Sequence, residues 1–205
     1  ESNAVSITAD TGVIRHYMPD STLAILSRGA TIEYDSYKYG KKLREVCISG
    51  KVYFSVRKNI RSPFTATGTY AQVKVLGTEF EIDERIQDTV TNVFVKSGKV
   101  VFKGKNSPKR IILTKDMNGT LKHGNDMPET TSAVFTNPLA WATGTFVYRN
   151  TPIDAVMKEL SFFYGKQLYS SEHYKTITAE FKTESLDEII TLIEKTLDIK
   201  IIKED

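Results

Sequence analysis

"TFVYRNTPIDAVMKELSFFYG", residues 145–165, switches period partway along. Thr145–Asn150 reads as a short strand. From there apolar side chains fall at Ile153, Val156, Met157, Leu160 and Phe163, the i, i+3, i+4, i+7 spacing of one helical face. Thr151 is placed to cap this helix, Pro152 suits its first position, and Gly165 ends it. Downstream, "KQLYS" (166–170) and "ITAEFK" (177–182) read as strands. "SLDE" (185–188) has the capping-box form and opens a second apolar stripe at Leu186, Ile189, Ile190, Ile193 and Leu197. "IKIIK" (199–203) closes as a strand. Residues 144–205 thus have the order βαββαβ, a small α+β domain. Burying each large side chain of such stripes is worth about 1.5–3 kcal/mol, so both helices must pack against sheet or each other.

Upstream the period is two. Strands are expected near 4–8, 13–18, 22–26, 31–35, 43–49, 51–57, 64–68, 71–76, 78–83, 89–96, 99–104, 109–114 and 119–123. Turn signals separate them, among them Ser49-Gly50-Lys51 and Ser97-Gly98-Lys99. Many short strands at even spacing predict an all-β domain over 1–124, built as a sandwich, roll or solenoid-like module. Between the two patterns, residues 125–143 are polar with two prolines and read as a linker that Phe135 and Trp141 anchor.

The 205 residues are 40% hydrophobic and 26% charged, a globular balance that suits two modules of these sizes. Charge separates along the same line. Residues 1–124 hold 20 Lys and Arg against 12 Asp and Glu, whereas 125–205 hold 8 against 13. The basic clusters 38–44, 57–61 and 103–110 read as solvated turns, and no recognition helix or zinc-finger spacing accompanies them to suggest nucleic acid. No apolar run is long enough to cross a membrane and no signal-peptide pattern opens the chain. The abrupt, strand-like start at Glu1 suggests an excised ectodomain.

Catalytic and metal patterns are missing. His16, His123 and His173 are scattered and read as surface or turn residues. Cys47 lies on a strand opposite Val46 and Ile48, with no histidine beside it. Glu79 and Glu81 share a polar strand face that reads as solvated, and Asn118-Gly119-Thr120 fits a glycosylation sequon. Nothing implies a cofactor or a metal, and the chain reads as a non-enzyme. "VKVLGTEFEID" (73–83) interrupts a good strand with Gly77-Thr78, which on the residues alone is a bulge with Leu76 and Phe80 packed inward.

Several blocks together resemble the FecR family: "YMPDSTLAILSRGATIEY" (17–34), "REVCISGKVYFSV" (44–56), "SPFTA" (62–66), "VKVLGTEFEI" (73–82) and "VFVKSGKVVF" (93–102). "WATGTFVYRNTPIDAVMKELSFFYG" (141–165) resembles the stretch that follows in members from Bacteroidetes. The chain departs from the pattern at Ser21, where the family has Gly after Pro-Asp, and at Lys51-Val52, where it has Glu-Ala. The resemblance implies the periplasmic sensor region of a transmembrane anti-sigma factor. Its cytoplasmic segment, absent here, would bind an extracytoplasmic-function sigma factor. Its partner outside would be the signalling domain of a TonB-dependent outer-membrane transporter. The C-terminal module resembles the short domain at the N-termini of secretins and TonB-dependent transducers. An open strand edge there is the expected docking site, with Thr178, Glu180 and Lys182 on one strand and Lys200 and Lys203 on another. Several FecR-like regulators break the peptide bond before this threonine, which points to Gly77 and Thr78 as the pair for an N→O acyl shift. Two other function classes stand beside this one: an all-β carbohydrate-binding module using Tyr34, Tyr37 and Tyr39, and an enzyme, which the missing catalytic set disfavours.

Overall fold

The computed structural model describes residues 3–41, 43–85, 87–133 and 135–204. Lys42, in the first basic cluster, therefore lies outside the described residues. The chain forms two compact units, Glu1–Ala133 and Val134–Asp205.

The first unit is all β, as its alternation dictates. Its strands are β1 (Ala4–Thr8), β2 (Ile14–Tyr17), β3 (Leu23–Leu26), β4 (Thr31–Asp35), β5 (Arg44–Ser55), β6 (Phe64–Thr67), β7 (Ala71–Val75), β8 (Glu79–Glu84), β9 (Val90–Ser97), β10 (Lys99–Gly104), β11 (Arg110–Thr114), β12 (Asn118–Lys122) and β13 (Glu129–Thr131). They make two layers that share β5. One runs β1-β4-β5-β6-β7-β10-β11 and the other β2-β3-β5-β8-β9-β12-β13. The first half of β5 pairs with β4 and, in parallel, with β6. The second half pairs with β3 and β8.

The strands expected at 43–49 and 51–57 are thus one strand, and Ser49-Gly50-Lys51 is a bend rather than a hairpin turn. The glycine signal is genuine. Gly50 sits at φ +84°, and a Cβ on it would lie 2.8 Å from Ala30 Cα. A strand that bends in this way can leave one layer for the other. Inward parity runs straight through the bend: Arg44, Val46 and Ile48 are buried before it, and Val52 and Phe54 after it. One core fills the space between the layers, with Phe54 5.1 Å from Phe64 and 5.5 Å from Phe80 between ring centroids.

The second unit contains α1 (Ala140–Thr143), β14 (Thr145–Pro152), α2 (Ile153–Tyr164), β15 (Gln167–Ser170), β16 (Thr176–Lys182), α3 (Leu186–Leu197) and β17 (Ile201–Glu204). The βαββαβ order holds, with two antiparallel pairs, β14–β16 and β15–β17. The helical stripes supply the core: Ile153, Val156, Met157, Leu160, Ile189 and Ile193 are buried with Phe146, Leu168, Ile177 and Phe181. Ser185 caps α3 by accepting from the Glu188 amide at 3.3 Å. The expected cap on α2 is different. Pro152 occupies the N-cap position, and the Thr151 hydroxyl instead accepts from the Arg149 amide across the bulge at Asn150. Gly165 ends α2 at φ +64°.

The run expected to be a linker, 125–143, is divided between the units. Glu129–Thr131 pairs with β12. Farther on, the amide of Asn137 donates to Glu159 Oε1 at 2.5 Å and its side-chain Nδ2 to Oε2 at 3.1 Å, so the buried carboxylate on α2 fixes the start of the second unit. A three-residue strand with one polar side chain after another carries no periodic signal.

Candidate functional site

The two small sheets of the second unit have four outer edges, and three carry a side-chain cap. On β14 the Val147 amide donates to Asn137 Oδ1 at 2.7 Å. On β15 the Leu168 amide donates to Ser161 Oγ at 3.0 Å. On β17 the Ile201 amide donates to Glu194 Oε1 at 2.9 Å. Among the described residues the outer edge of β16 meets neither strand nor capping side chain. An edge of this kind is a template for an added strand.

Thr178, Glu180 and Lys182 stand together on the exposed face of β16, opposite the buried Ile177 and Phe181. Glu180 lies across from Val147 and Lys182 across from Thr145. The Thr178 hydroxyl accepts from the Asn150 amide at 2.8 Å, and Lys182 Nζ reaches Thr145 Oγ1 at 3.4 Å. Lys200 and Lys203 belong to the other sheet region. The Lys200 amide donates to Ser171 Oγ, and Lys203 pairs with Asp187 at 3.0 Å. The five residues therefore form two separate groups.

In the first unit, Gly77 answers a question of phase. Val73 and Val75 point inward before it, and Thr78, Phe80 and Ile82 after it, so the inward parity slips by one as the chain leaves β7 for β8. Leu76, expected inward, is 45% exposed because it falls on the outward parity of β7. The slip brings the chain against the connection after β5. The Val56 amide donates to Thr78 O at 3.0 Å and the Asn59 amide to Leu76 O at 2.7 Å. A Cβ on Gly77 would lie 2.5 Å from Lys58 Cα. The Thr78 hydroxyl donates to Lys99 O at 3.0 Å and accepts from the Lys99 amide at 3.3 Å, which stitches it to the hairpin at Gly98. Neither partner is a base.

Nor do the neighbouring carboxylates face open solvent as expected. Glu81 is buried and Glu79 half-buried. Glu79 accepts from Tyr53 Oη at 3.0 Å and pairs with Lys96 at 2.9 Å. Burial pulls its carboxyl up, but the bonds from Lys96 and Tyr53 outweigh burial and leave it below its ordinary value.

Two buried charged groups of the first unit have structural roles that the sequence pattern did not show. Arg44, 1% exposed, reaches Asp20, Ser62 O, Arg57 O and Asn59 O. Glu84, 3% exposed, accepts from the amides of Thr69, Tyr70 and Ala71 and from the Thr91 hydroxyl. The remaining candidates settle into structural places. Tyr34 and Tyr39 are buried edge to face, and Lys41 lies 4.0 Å over the exposed ring of Tyr37, so the three tyrosines form no open platform. His16 contacts Tyr34 Oη and His123 stacks on Tyr70, both half-buried, while exposed His173 meets Asp154. Cys47 is exposed. Asn118 Nδ2 donates to Thr131 Oγ1 within the β12–β13 pair. Among the described residues no group of His, Cys, Asp and Glu could hold a metal.

Strands in two layers around one core, followed by a small βαββαβ unit, define a mostly-β, two-unit protein. Two family models match it along its length, one described as FecR protein over residues 5–115 and one as FecR, C-terminal over 145–205. The chain belongs to the FecR family. Two crystal structures of a protein from Parabacteroides distasonis ATCC 8503, provisionally assigned as an anti-sigma factor, share the fold. Their identities to this chain are 22% and 21%, each with a TM-score of 0.63 and coverage of 98% of this chain and 100% of the other. No curated protein matches the chain.

Proposed function

We propose that this chain is the periplasmic sensor region of a membrane-anchored anti-sigma factor, and that it acts by binding rather than by catalysis. Family membership across both units supports a role in sigma-factor regulation, and the provisional assignment of the P. distasonis protein agrees with it. The partner outside is the signalling domain of a TonB-dependent outer-membrane transporter, and the sigma factor binds a cytoplasmic segment beyond this chain. The observation that carries the docking step is the uncapped edge of β16. A partner strand there would complete a three-stranded sheet, its main chain supplying affinity and Thr178, Glu180 and Lys182 its register. Transporter occupancy is relayed if the partner binds one state of the ectodomain better than another.

The test uses the whole chain and the isolated signalling domain of a TonB-dependent transporter. Thr178→Lys with Glu180→Lys reverses the charge balance along β16 and is expected to weaken binding by about tenfold or more in calorimetry. Lys200→Glu with Lys203→Glu is expected to leave it within about twofold. The opposite pattern would move docking to the β15–β17 sheet and end this reading of β16.

In the same proposal, Gly77-Thr78 is a structural kink whose peptide stays whole. Fresh and aged protein is expected to give one intact mass, and a second species beginning at Thr78 would refute this. Gly77→Ala drives a methyl into the Lys58 backbone and is expected to cost about 1–3 kcal/mol in thermal or urea unfolding.

A further inference from the structure

Three connections of the first unit surround a cleft of about 420 Å³: the β6–β7 turn, the β10–β11 loop and the β12–β13 loop. Its volume lies in the range of small-molecule sites. Tyr70 lines it with 40% of its surface exposed, beside Lys105, Asn106, Ser107, Asn125 and Asp126.

The ring is unusually well held for a surface tyrosine. His123 stacks under it with centroids 3.7 Å apart and planes 17° from parallel. Both members of the stack depend on Glu84. That carboxylate accepts from the Tyr70 amide at 3.0 Å and the Ala71 amide at 3.1 Å, and from the Thr69 amide. It also accepts from Thr91 Oγ1 at 2.8 Å, and Thr91 Oγ1 lies 3.1 Å from His123 Nε2. A hydroxyl that donates to the carboxylate accepts from the ring, which assigns the Nε2–H tautomer. On the opposite side the Lys105 amide donates to Tyr70 O at 2.7 Å, which ties the β10–β11 loop to the same turn. A buried carboxylate thus pre-positions an exposed aromatic at a polar cleft, removing ordering cost from any ligand that stacks there.

We propose that the Tyr70 cleft binds a saccharide. A pyranose offers C–H bonds on its face and hydroxyls around its rim. The cleft supplies a fixed flat ring for the first, and the amides of Asn106 and Asn125 with the Ser107 hydroxyl for the second. Its charge does not favour a polyanion. Among the described lining residues Lys105 is the single cation, and the single anion, Asp126, is already paired with Lys109 at 2.7 Å. The site belongs to the first unit and is independent of docking at β16.

The test screens the whole chain on a glycan array and follows positives by NMR titration with the free mono- or disaccharide. Binding is expected with amide shifts confined to 68–71, 104–108 and 123–126. Tyr70→Ala should weaken it by about tenfold or more, Tyr70→Phe by no more than about threefold, and Tyr37→Ala, at an exposed tyrosine elsewhere, not at all. Absence of binding on the array and with free sugars at roughly 10 mM would overturn the proposal. So would affinity indifferent to Tyr70→Ala, or binding restricted to sulfated glycans and abolished by salt. An array-positive glycan whose free disaccharide end binds equally well marks recognition of a chain terminus. One that binds only as a longer chain marks an internal unit, and either outcome supports the site.

Discussion

Replacing Arg44 with alanine is expected to destabilise the first unit by about 3–5 kcal/mol, the scale for breaking a buried ion pair by removing one partner. Arg44 opens β5, and the chain from Ser55 must return past it to begin β6, which lies parallel to that same first half. Parallel neighbours need a crossover, and this one has no helix to supply it. The guanidinium does so instead. Nε donates to Ser62 O at 2.6 Å and Nη1 to Arg57 O at 2.7 Å, while Nη2 reaches Asn59 O at 3.4 Å. Nη1 also meets Asp20 Oδ2 at 3.0 Å, bringing in the turn between β2 and β3. Arg44→Lys keeps the charge but has no planar fork for four acceptors, so most of the loss should persist.

Urea unfolding reads the effect as a drop in midpoint at unchanged slope. Acid titration gives a second readout. Burial raises the Asp20 carboxyl, but its bonds from Thr22 and Arg44 outweigh that and hold it below the ordinary value. A carboxyl depressed in the folded state contributes stability that is present above the unfolded pKa of about 4 and lost as pH falls through the folded value. The wild type should therefore lose stability below about pH 4 more steeply than Arg44→Ala, in which part of the depression is gone. Equal acid slopes would detach Asp20 from this role.

Legibility followed periodicity. Apart from β13, which fell in the expected linker, the strands of the first unit and both long helices of the second stand within a residue or two of where alternation and helical spacing put them. What escaped was decided by contacts distant in sequence. Gly50 has the signature of a turn, and only the approach of Ala30 shows it to be a bend within one strand. Leu76 is apolar beside an apolar strand, yet the parity slip at Gly77 turns it outward. Glu84 and Glu159 are carboxylates in unremarkable surroundings, and what makes them structural is a cluster of amides brought from 13 to 22 residues away. The residues proposed for docking were legible as an alternating strand, but the capping of the other three edges by Asn137, Ser161 and Glu194 was not. That capping singles out β16.

Glu84→Ala should be nearly as costly as Arg44→Ala, about 3 kcal/mol or more, because it orphans several donors at once at about 1–3 kcal/mol for each that stays dry. Glu84 ends β8 in one layer and holds the turn between β6 and β7 in the other, so its side chain bridges the two layers at the edge of the core. The turn is shaped for it: a Cβ on Gly68 would lie 2.2 Å from Glu84 Oε1, so alanine there should reproduce much of the loss. Glu84→Gln separates charge from shape. The amide is isosteric, but it turns one of two acceptor atoms into a donor facing other donors, either the Thr69 and Tyr70 amides or the Ala71 amide and Thr91 hydroxyl. The glutamine variant should therefore fall well short of wild type, by about 1–3 kcal/mol. Hydrogen exchange distinguishes this clamp from general loosening. In Glu84→Gln the amides of Thr69, Tyr70 and Ala71 should lose protection first, while those of the β5–β8 ladder retain it. Uniform loss across the unit would mean that Glu84 supports the core as a whole and that the Tyr70 turn has no separate anchor.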